Sequence, residues 1–346
     1  MYQYFEGDKV FAFLTFPFKL LHFVGVCDKV ILSKEVFTMK LFAVVLLLII
    51  VAFLLLALHI FRSSCCRGNA PVARNSPARP RWEQEQRAGK EWFLSQNPTT
   101  LTISSHDGLK LSGYYLSADS KNTLILMHGY HADALYEFCP LLKFYYELGY
   151  NLLLPDQRAH GKSEGKYLSF GILERQDVRC WAEYITKEFA PDNIFLSGIS
   201  MGGATVLMSS TLPLPQTVRG IIADCPFADP SLQFRYSLTQ KTKLRGSLFL
   251  YLCGIWSRVL AGWHFTDFSP TDLVTAKLPL LLLHGTADLT VPHSMSAPVS
   301  EYYGGECEIL LFDNCPHAYA SVFDSEKYHR AVTEFLQKHS KSYSQL

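Results

Sequence analysis

Charge of a single sign is what this sequence lacks most plainly. Its 32 Lys and Arg residues meet 31 Asp and Glu, for a formal net charge of +1. That balance excludes the electrostatic footprint of a nucleic-acid reader, so no nucleic-acid partner is expected. Internal repeats are absent as well. The nine cysteines are odd in number and show no small-scaffold spacing, which argues against a disulfide framework and agrees with a reducing compartment. Acidic residues are missing from 231–265, where Arg235, Lys241, Lys243, Arg245 and Arg258 all occur. A site for a substrate ammonium is therefore not expected there.

What the chain does have is one long apolar run. Leu41–Leu58 contains no charge and continues to Phe61 with His59 as the first polar residue. A helix needs about 20 such residues to cross the hydrocarbon core of a bilayer. A cleaved signal peptide has a shorter apolar region, of about 7–15 residues, ending in a small-x-small site. The following HIFRSSCC offers no such site, so residues 39–61 are expected to be an uncleaved, single-pass membrane anchor. Met39-Lys40 directly before the run looks like a natural start. Residues 1–38 are accordingly expected to be a dispensable extension or a start-site artefact. Arg62, Arg67, Arg74, Arg79 and Arg81 follow the run, against Lys29, Lys34 and Lys40 before it. The positive-inside rule then leans the downstream domain toward the cytoplasm.

Residues 62–90 are rich in Pro, Arg and Ser and read as a linker. From Glu91 onward short β-type runs alternate with helical stretches, the pattern of a sheet with helices on its faces. Thr99–Ser105 and Leu109–Ser117 flank a His-Asp-Gly turn and form an opening hairpin. Runs at Thr123–Met127, Tyr150–Leu154, Asn193–Leu196, Gly220–Ala223, Leu278–Leu283 and Glu308–Phe312 supply the remaining strands. The last helix is expected over Ser321–Lys338. Roughly fifty residues separate Asp224 from Leu278, where a short crossover is the norm. This insertion, about 226–276, includes the aromatic-rich patch Leu248–Phe265 and is expected to form a helical lid over the carboxyl ends of the strands.

Four short motifs stand at strand ends. Gly198-Ile199-Ser200-Met201-Gly202 lies between a strand and a helix. A hydroxyl that attacks a carbonyl must stand proud of a tight strand-to-helix turn, where Gly198 and Gly202 permit the close backbone approach. His128-Gly129-Tyr130 ends the strand Thr123–Met127. There the backbone N–H groups of Tyr130 and Met201 are expected to form an oxyanion hole, while the His128 imidazole merely packs. His284-Gly285-Thr286-Ala287-Asp288 ends the strand Leu278–Leu283, where a carboxylate can orient an imidazole. Of the twelve histidines, only His317, in Pro316-His317-Ala318, comes last in chain order on its own post-strand loop. It is the candidate general base.

Taken together, these motifs resemble the α/β-hydrolase superfamily, in particular bacterial serine-aminopeptidase and prolyl-oligopeptidase-like esterases with an N-terminal anchor. The resemblance spans about residues 91–340. It includes Asp156-Gln157-Arg158-Ala159-His160-Gly161-Lys162-Ser163, similar to the family's structural D-x-R-G-H-G-x-S loop with Ala159 in place of Gly. Another departure is Asn314-Cys315-Pro316-His317, where the family usually has Gly-x-Gly-His. The resemblance implies an α/β fold with a mostly parallel eight-stranded sheet, helices on both faces and a lid, all within 91–346. It also implies a Ser200–His317–Asp288 triad that works without cofactor or metal, Asp288 resting on the resemblance more than the other two. The implied reaction is acyl transfer to water through an acyl-Ser200 intermediate, on an ester or thioester, with an apolar acyl chain suggested by the lid and anchor. A serine peptidase of the same fold and a catalytically inactive membrane-tethered binding protein are the rival readings.

Overall fold

The computed structural model describes residues 34–68, 76–242 and 246–341. Most of the expected extension 1–38 thus lies outside the described residues, as does the middle of the expected linker. Two compact units divide the chain at Leu56 and Ala57. In the first, the described residues belong to helix α1, Lys34–Cys65. Its Met39–Cys65 portion is long and apolar enough to cross a membrane, by length and composition.

The second unit holds the last turns of α1 and all that follows. Its elements run α2 (Arg79–Ser95), β1 (Thr99–Ser104), β2 (Lys110–Leu116), β3 (Asn122–Met127), α3 (Ala134–Glu147), β4 (Asn151–Pro155) and α4 (Glu174–Phe189). Next come β5 (Asn193–Ile199), α5 (Met201–Ser209), β6 (Val218–Asp224), α6 (Pro230–Thr242), α7 (Gly246–Ala261) and β7 (Leu280–Gly285). The order closes with α8 (Ala297–Tyr302), β8 (Cys307–Phe312), α9 (Ala320–Phe323) and α10 (Ser325–His339). The eight strands form one sheet in the order β1-β2-β4-β3-β5-β6-β7-β8. Only the pairings of β2 with β1 and β4 are antiparallel; β4 through β8 run parallel.

Parallel strands covered on both faces need apolar residues at every position, which is why the central runs are continuous rather than alternating. Successive side chains point to opposite faces, so each central strand feeds two cores. Ile125 and Met127 of β3, Ile194 and Leu196 of β5, and Leu280 and Leu282 of β7 belong to one. Leu124 and Leu126, Phe195 and Ile199, and Leu281 and Leu283 belong to the other. The first core is closed by α4, α5 and the α6–α7 segment, and the second by α2, α3 and α10.

Two expectations are corrected. The linker expected over 62–90 is helical from Arg79, because Pro80 starts α2 and Trp82 and Phe93 are buried in the second core. Helix α2 lies so close to α3 that a Cβ on Gly89 would stand 1.8 Å from the Cys139 carbonyl oxygen. The same segment's first residues are also docked: Cys65 is fully buried, and Cys66 bridges to Tyr167. Arg67 donates to the Gly161 carbonyl at 3.0 Å. The final helix, expected unbroken over 321–338, is interrupted at Asp324, whose side chain accepts from Lys327 N and starts α10.

Candidate active site

Ser200 occupies the turn between β5 and α5 with φ 58° and ψ −118°. A non-glycine residue held there is strained, a condition that surrounding structure must enforce. Enforcement comes from two hydrogen bonds: Ser200 N donates to Asp224 O at 2.8 Å, and Ala204 N donates to Ser200 O at 2.9 Å. The flanking glycines are demanded by space. A Cβ on Gly198 would lie 2.2 Å from Gly202 O, and one on Gly202 would lie 1.8 Å from Met127 O. The second distance also shows how tightly the end of β3 is pressed against the turn that carries Ser200.

Three loops, each leaving the carboxyl end of a parallel strand, meet at this turn. His317, from the loop after β8, has Nε2 2.8 Å from Ser200 Oγ. Its other nitrogen, Nδ1, is 2.5 Å from Oδ2 of Asp288, in the loop after β7. With Nδ1 facing a carboxylate, the ring proton belongs there, and Nε2 is left to accept the serine O–H. Asp288 is fixed through its other oxygen, which accepts from Thr290 N and Val291 N, both at 2.8 Å. Burial raises the Asp288 pKa, but His317, His284 and the Val291 amide outweigh it and hold the carboxyl below its usual range. His284 stands behind, its Nε2 3.4 Å from Asp288 Oδ2.

The acid and base loops are laced together. Asn314 N donates to Thr286 Oγ1 at 2.8 Å, and Ala287 N donates to Cys315 O at 3.1 Å. Asn314 adopts φ 56°, a conformation that Asn accepts more readily than other side chains. This is how the loop keeps its path without the family's usual glycine. Ala159, the other departure, likewise sits at φ 60°.

Tyr130 follows Gly129 at the end of β3, and Met201 opens α5. The strands β3 and β5 are neighbours, with Met127 opposite Gly198, so the end of β3 lies beside the turn that carries Ser200. Gly129 N is held by Glu137 Oε2 at 2.5 Å, and the Tyr130 hydroxyl donates to Ser64 O at 2.8 Å. His128 is a packing residue: Gln157 N donates to its Nε2 at 3.0 Å, and burial lowers its pKa to about 4. His160 is likewise buried, its pKa lowered to about 3. Asp156 is structural too, accepting from Ala134 N and Lys162 N. Arg158 is buried against two carboxylates, Asp177 at 2.7 Å and Asp107 at 2.9 Å.

The sheet order, the strained serine turn and the three converging loops are the architecture of one fold, and residues 118–263 match the family model for serine aminopeptidase, S33. The chain has the α/β-hydrolase fold. A Bacillus subtilis protein, YqkD, is 27% identical over 71% of this hydrolase and 81% of its own length. Caffeoylshikimate esterase of Arabidopsis thaliana is 28% identical, covering 41% of this chain and 42% of that enzyme. Among solved structures, the Pyrococcus furiosus esterase Pf2001 superposes with a TM-score of 0.58 at 23% identity, over 79% of this chain and 100% of that one.

The hydrolase's insertion after β6 is built from α6, α7 and the segment through Phe268. It touches the acid loop directly: Gln233 Nε2 donates to Thr290 O at 3.1 Å, and the Tyr236 hydroxyl donates to Leu289 O at 3.0 Å. Phe234 packs on Phe265 at 4.4 Å and on Phe170 at 5.9 Å, and Phe170 stacks on Tyr130 at 5.7 Å. A chain of rings therefore runs from the insertion to the β3 loop. A cleft of about 570 Å³ opens between α6 and α7, lined by Arg235, Tyr236 and Leu248 among others, but not by Ser200 or His317.

Two groups of side chains have metal-ligand spacing among the described residues: Cys225 with Asp288 and His317, and His106 with Asp107 and Asp177. In the first, the 2.5 Å approach of His317 to Asp288 is closer than two ligands of one zinc ion stand, each about 2.0–2.2 Å from the metal. In the second, Arg158 is already ion-paired with both carboxylates. Cys225, packed beside the Asp288–His317 pair, was not legible in the sequence, where it is one of nine cysteines and follows Asp224.

Proposed function

We propose that this hydrolase cleaves a carboxylic ester or thioester through a covalent acyl-Ser200 intermediate. The observation that carries the reading is the continuous contact from Ser200 Oγ through His317 to Asp288, at 2.8 and 2.5 Å. In the first half-reaction His317 Nε2 takes the serine proton as Oγ bonds to the acyl carbon. The oxyanion that forms is held by the N–H groups of Tyr130 and Met201, donors that are worth most when fixed in advance. Collapse expels the leaving group, which receives the proton back from Nε2. In the second half-reaction water enters, gives a proton to Nε2 as its oxygen bonds to the acyl carbon, and Ser200 Oγ leaves with the proton returned from Nε2. Asp288 holds the imidazole with Nδ1 toward it and stabilises the imidazolium that exists between the proton transfers.

Ester chemistry is favoured over the aminopeptidase alternative because 231–265 contains no Asp or Glu to hold a substrate ammonium. Similarity to the Arabidopsis and Pyrococcus esterases supports the same choice. A catalytically inactive binding protein is disfavoured because the hydroxyl, imidazole and carboxylate are all present and aligned. The aromatic insertion, about 226–276, serves in this reading as a lid favouring an apolar acyl group. Residues 39–61 serve as a single-pass anchor, with the domain on the cytoplasmic side by the excess of Arg after the apolar run. The test is a p-nitrophenyl ester series of increasing chain length beside aminoacyl p-nitroanilides. Ester turnover that rises with chain length supports the reading, and faster turnover of the anilides would replace it with a peptidase.

A further inference from the structure

Helix α7 has two unlike faces. Phe249, Cys253 and Ser257 are buried, and Cys253 Sγ donates to the carbonyl of Ala57 at 3.4 Å. Ala57, Ile60 and Phe61 belong to the same core as Phe249 and Cys253. The inner face of α7 therefore packs on the final turns of α1, the helix whose upstream part is apolar enough to cross a membrane. The outer face exposes Leu248 (46%), Tyr251 (65%), Ile255 (38%) and Val259 (68%). Their spacing of three and four residues places them in one stripe.

A monomeric domain gains nothing by showing such a stripe to water, and a contiguous apolar patch of this kind marks an interaction site. With 16 residues, α7 falls short of the about 20 needed to span a bilayer, so it is suited to lie along a surface. The surroundings are basic: Arg235 and Lys241 on α6 are exposed, and no acid occurs anywhere in 231–265. Arg258 on α7 is engaged, donating to Asp267 at 2.6 Å.

We infer that the outer face of α7 is a lipid-binding surface: it lies in the headgroup region of an anionic bilayer, with Leu248, Tyr251, Ile255 and Val259 directed into the acyl boundary and Arg235 and Lys241 meeting anionic headgroups. The inference rests on the reading of residues 39–61 as an anchor, which tethers the hydrolase to a bilayer. It also gives the hydrolase a lipid-derived acyl substrate, delivered at the insertion that touches the acid loop.

The test uses the full chain reconstituted in vesicles of phosphatidylcholine with phosphatidylglycerol, carrying an environment-sensitive fluorophore on Val259→Cys. A second sample carries it on Val274→Cys, an exposed position outside α7 (60%). Emission at 259 is expected to shift to the blue and to be lost to a quencher attached to the lipid chains, while emission at 274 is unchanged. Replacing phosphatidylglycerol by phosphatidylcholine is expected to weaken the quenching. Emission at 259 that ignores the lipid quencher overturns the inference. Shielding at 259 that depends on protein density rather than on the quencher assigns the face to a second copy and overturns it equally. The readout needs no turnover, so its failure is separate from failure of the ester reading. Loss of vesicle association altogether would refute the anchor, and the inference with it. As a functional arm, Tyr251→Glu with Val259→Glu is expected to lower hydrolysis of a long-chain ester held in the vesicle but not of a short, water-soluble one. Equal loss on both, or on neither, contradicts the inference.

Discussion

His317 Nε2 stands 2.8 Å from Ser200 Oγ although 117 residues separate them in the chain. The two loops that carry them leave different strands of one sheet, and nothing local brings them together. Their encounter is the product of the sheet order, so the site is only as good as the fold beneath it.

Asp288 tests the orienting role of the carboxylate. Asp288→Asn keeps the size of the side chain but allows its amide to donate toward Nδ1, which favours the wrong imidazole tautomer. In the general serine-hydrolase pattern that exchange lowers kcat by about 10⁴. A loss of that order is expected on a soluble p-nitrophenyl ester, with KM little changed. Retention of more than a tenth of kcat would mean that another group orients His317.

Gly202 tests the packing of the serine turn. Its missing Cβ would stand 1.8 Å from Met127 O and 2.6 Å from His128 O, both backbone atoms that cannot yield alone. Gly202→Ala is expected to displace the turn or block folding. The check is thermal unfolding beside ester turnover, and a variant with native stability and native kcat would contradict the close approach described here.

Trp82 tests whether the segment before Glu91 belongs to the fold. The side chain is 3% exposed and packs edge-on to Tyr319 at 6.3 Å. Truncating a buried aromatic costs about 3–5 kcal/mol, so Trp82→Ala is expected to lower the urea midpoint strongly. A loose linker would show no change.

The pH dependence of stability follows from the buried histidines. Burial lowers His128 to about 4 and His160 to about 3, below the roughly 6.5 of an unfolded histidine. Between roughly pH 6.5 and 4 the unfolded chain therefore binds more protons, and stability falls as pH falls. Asp224 acts in the opposite sense. Burial raises it to about 6, against the pull of His284 and His317, so its contribution is lost as pH rises from roughly 4 through its folded value. Burial likewise raises Asp177 to about 6 despite Arg158, but it also lowers His106, His131, His329 and His339, so the balance is a net loss toward acid. Urea midpoints are expected to decline from pH 7 to pH 4, and Asp224→Asn to steepen that decline while raising stability at pH 7. A midpoint that climbs toward pH 5 would contradict the balance.

Much of this was legible in the residues because the signals were local. Each parallel strand announced itself as a continuous apolar run, and Gly198, Ser200 and Gly202 marked the serine turn by what a tight strand-to-helix junction requires. Chain order pointed to His317, and the structure brings Ser200, Asp288 and His317 together. The sequence signal failed where packing, not local pattern, decides. Helix α2 has few apolar residues, and Trp82 and Phe93 are too sparse to show a period, so Pro80 was the one usable start signal. The break at Asp324 depends on a cap that competes with an otherwise continuous helix. The placement of Cys225 beside Asp288 and His317 depends on three strands lying side by side, which no window of sequence contains.

Labelling by a fluorophosphonate probe is the most direct measurement of the central claim, because the probe reports an activated serine hydroxyl whatever the natural substrate. The full chain is expected to become covalently labelled, with the adduct mapped to Ser200, and labelling to be lost in Ser200→Ala and strongly reduced in His317→Ala. Labelling of Ser200→Ala equal to that of the unaltered chain would place the nucleophile elsewhere and contradict the account.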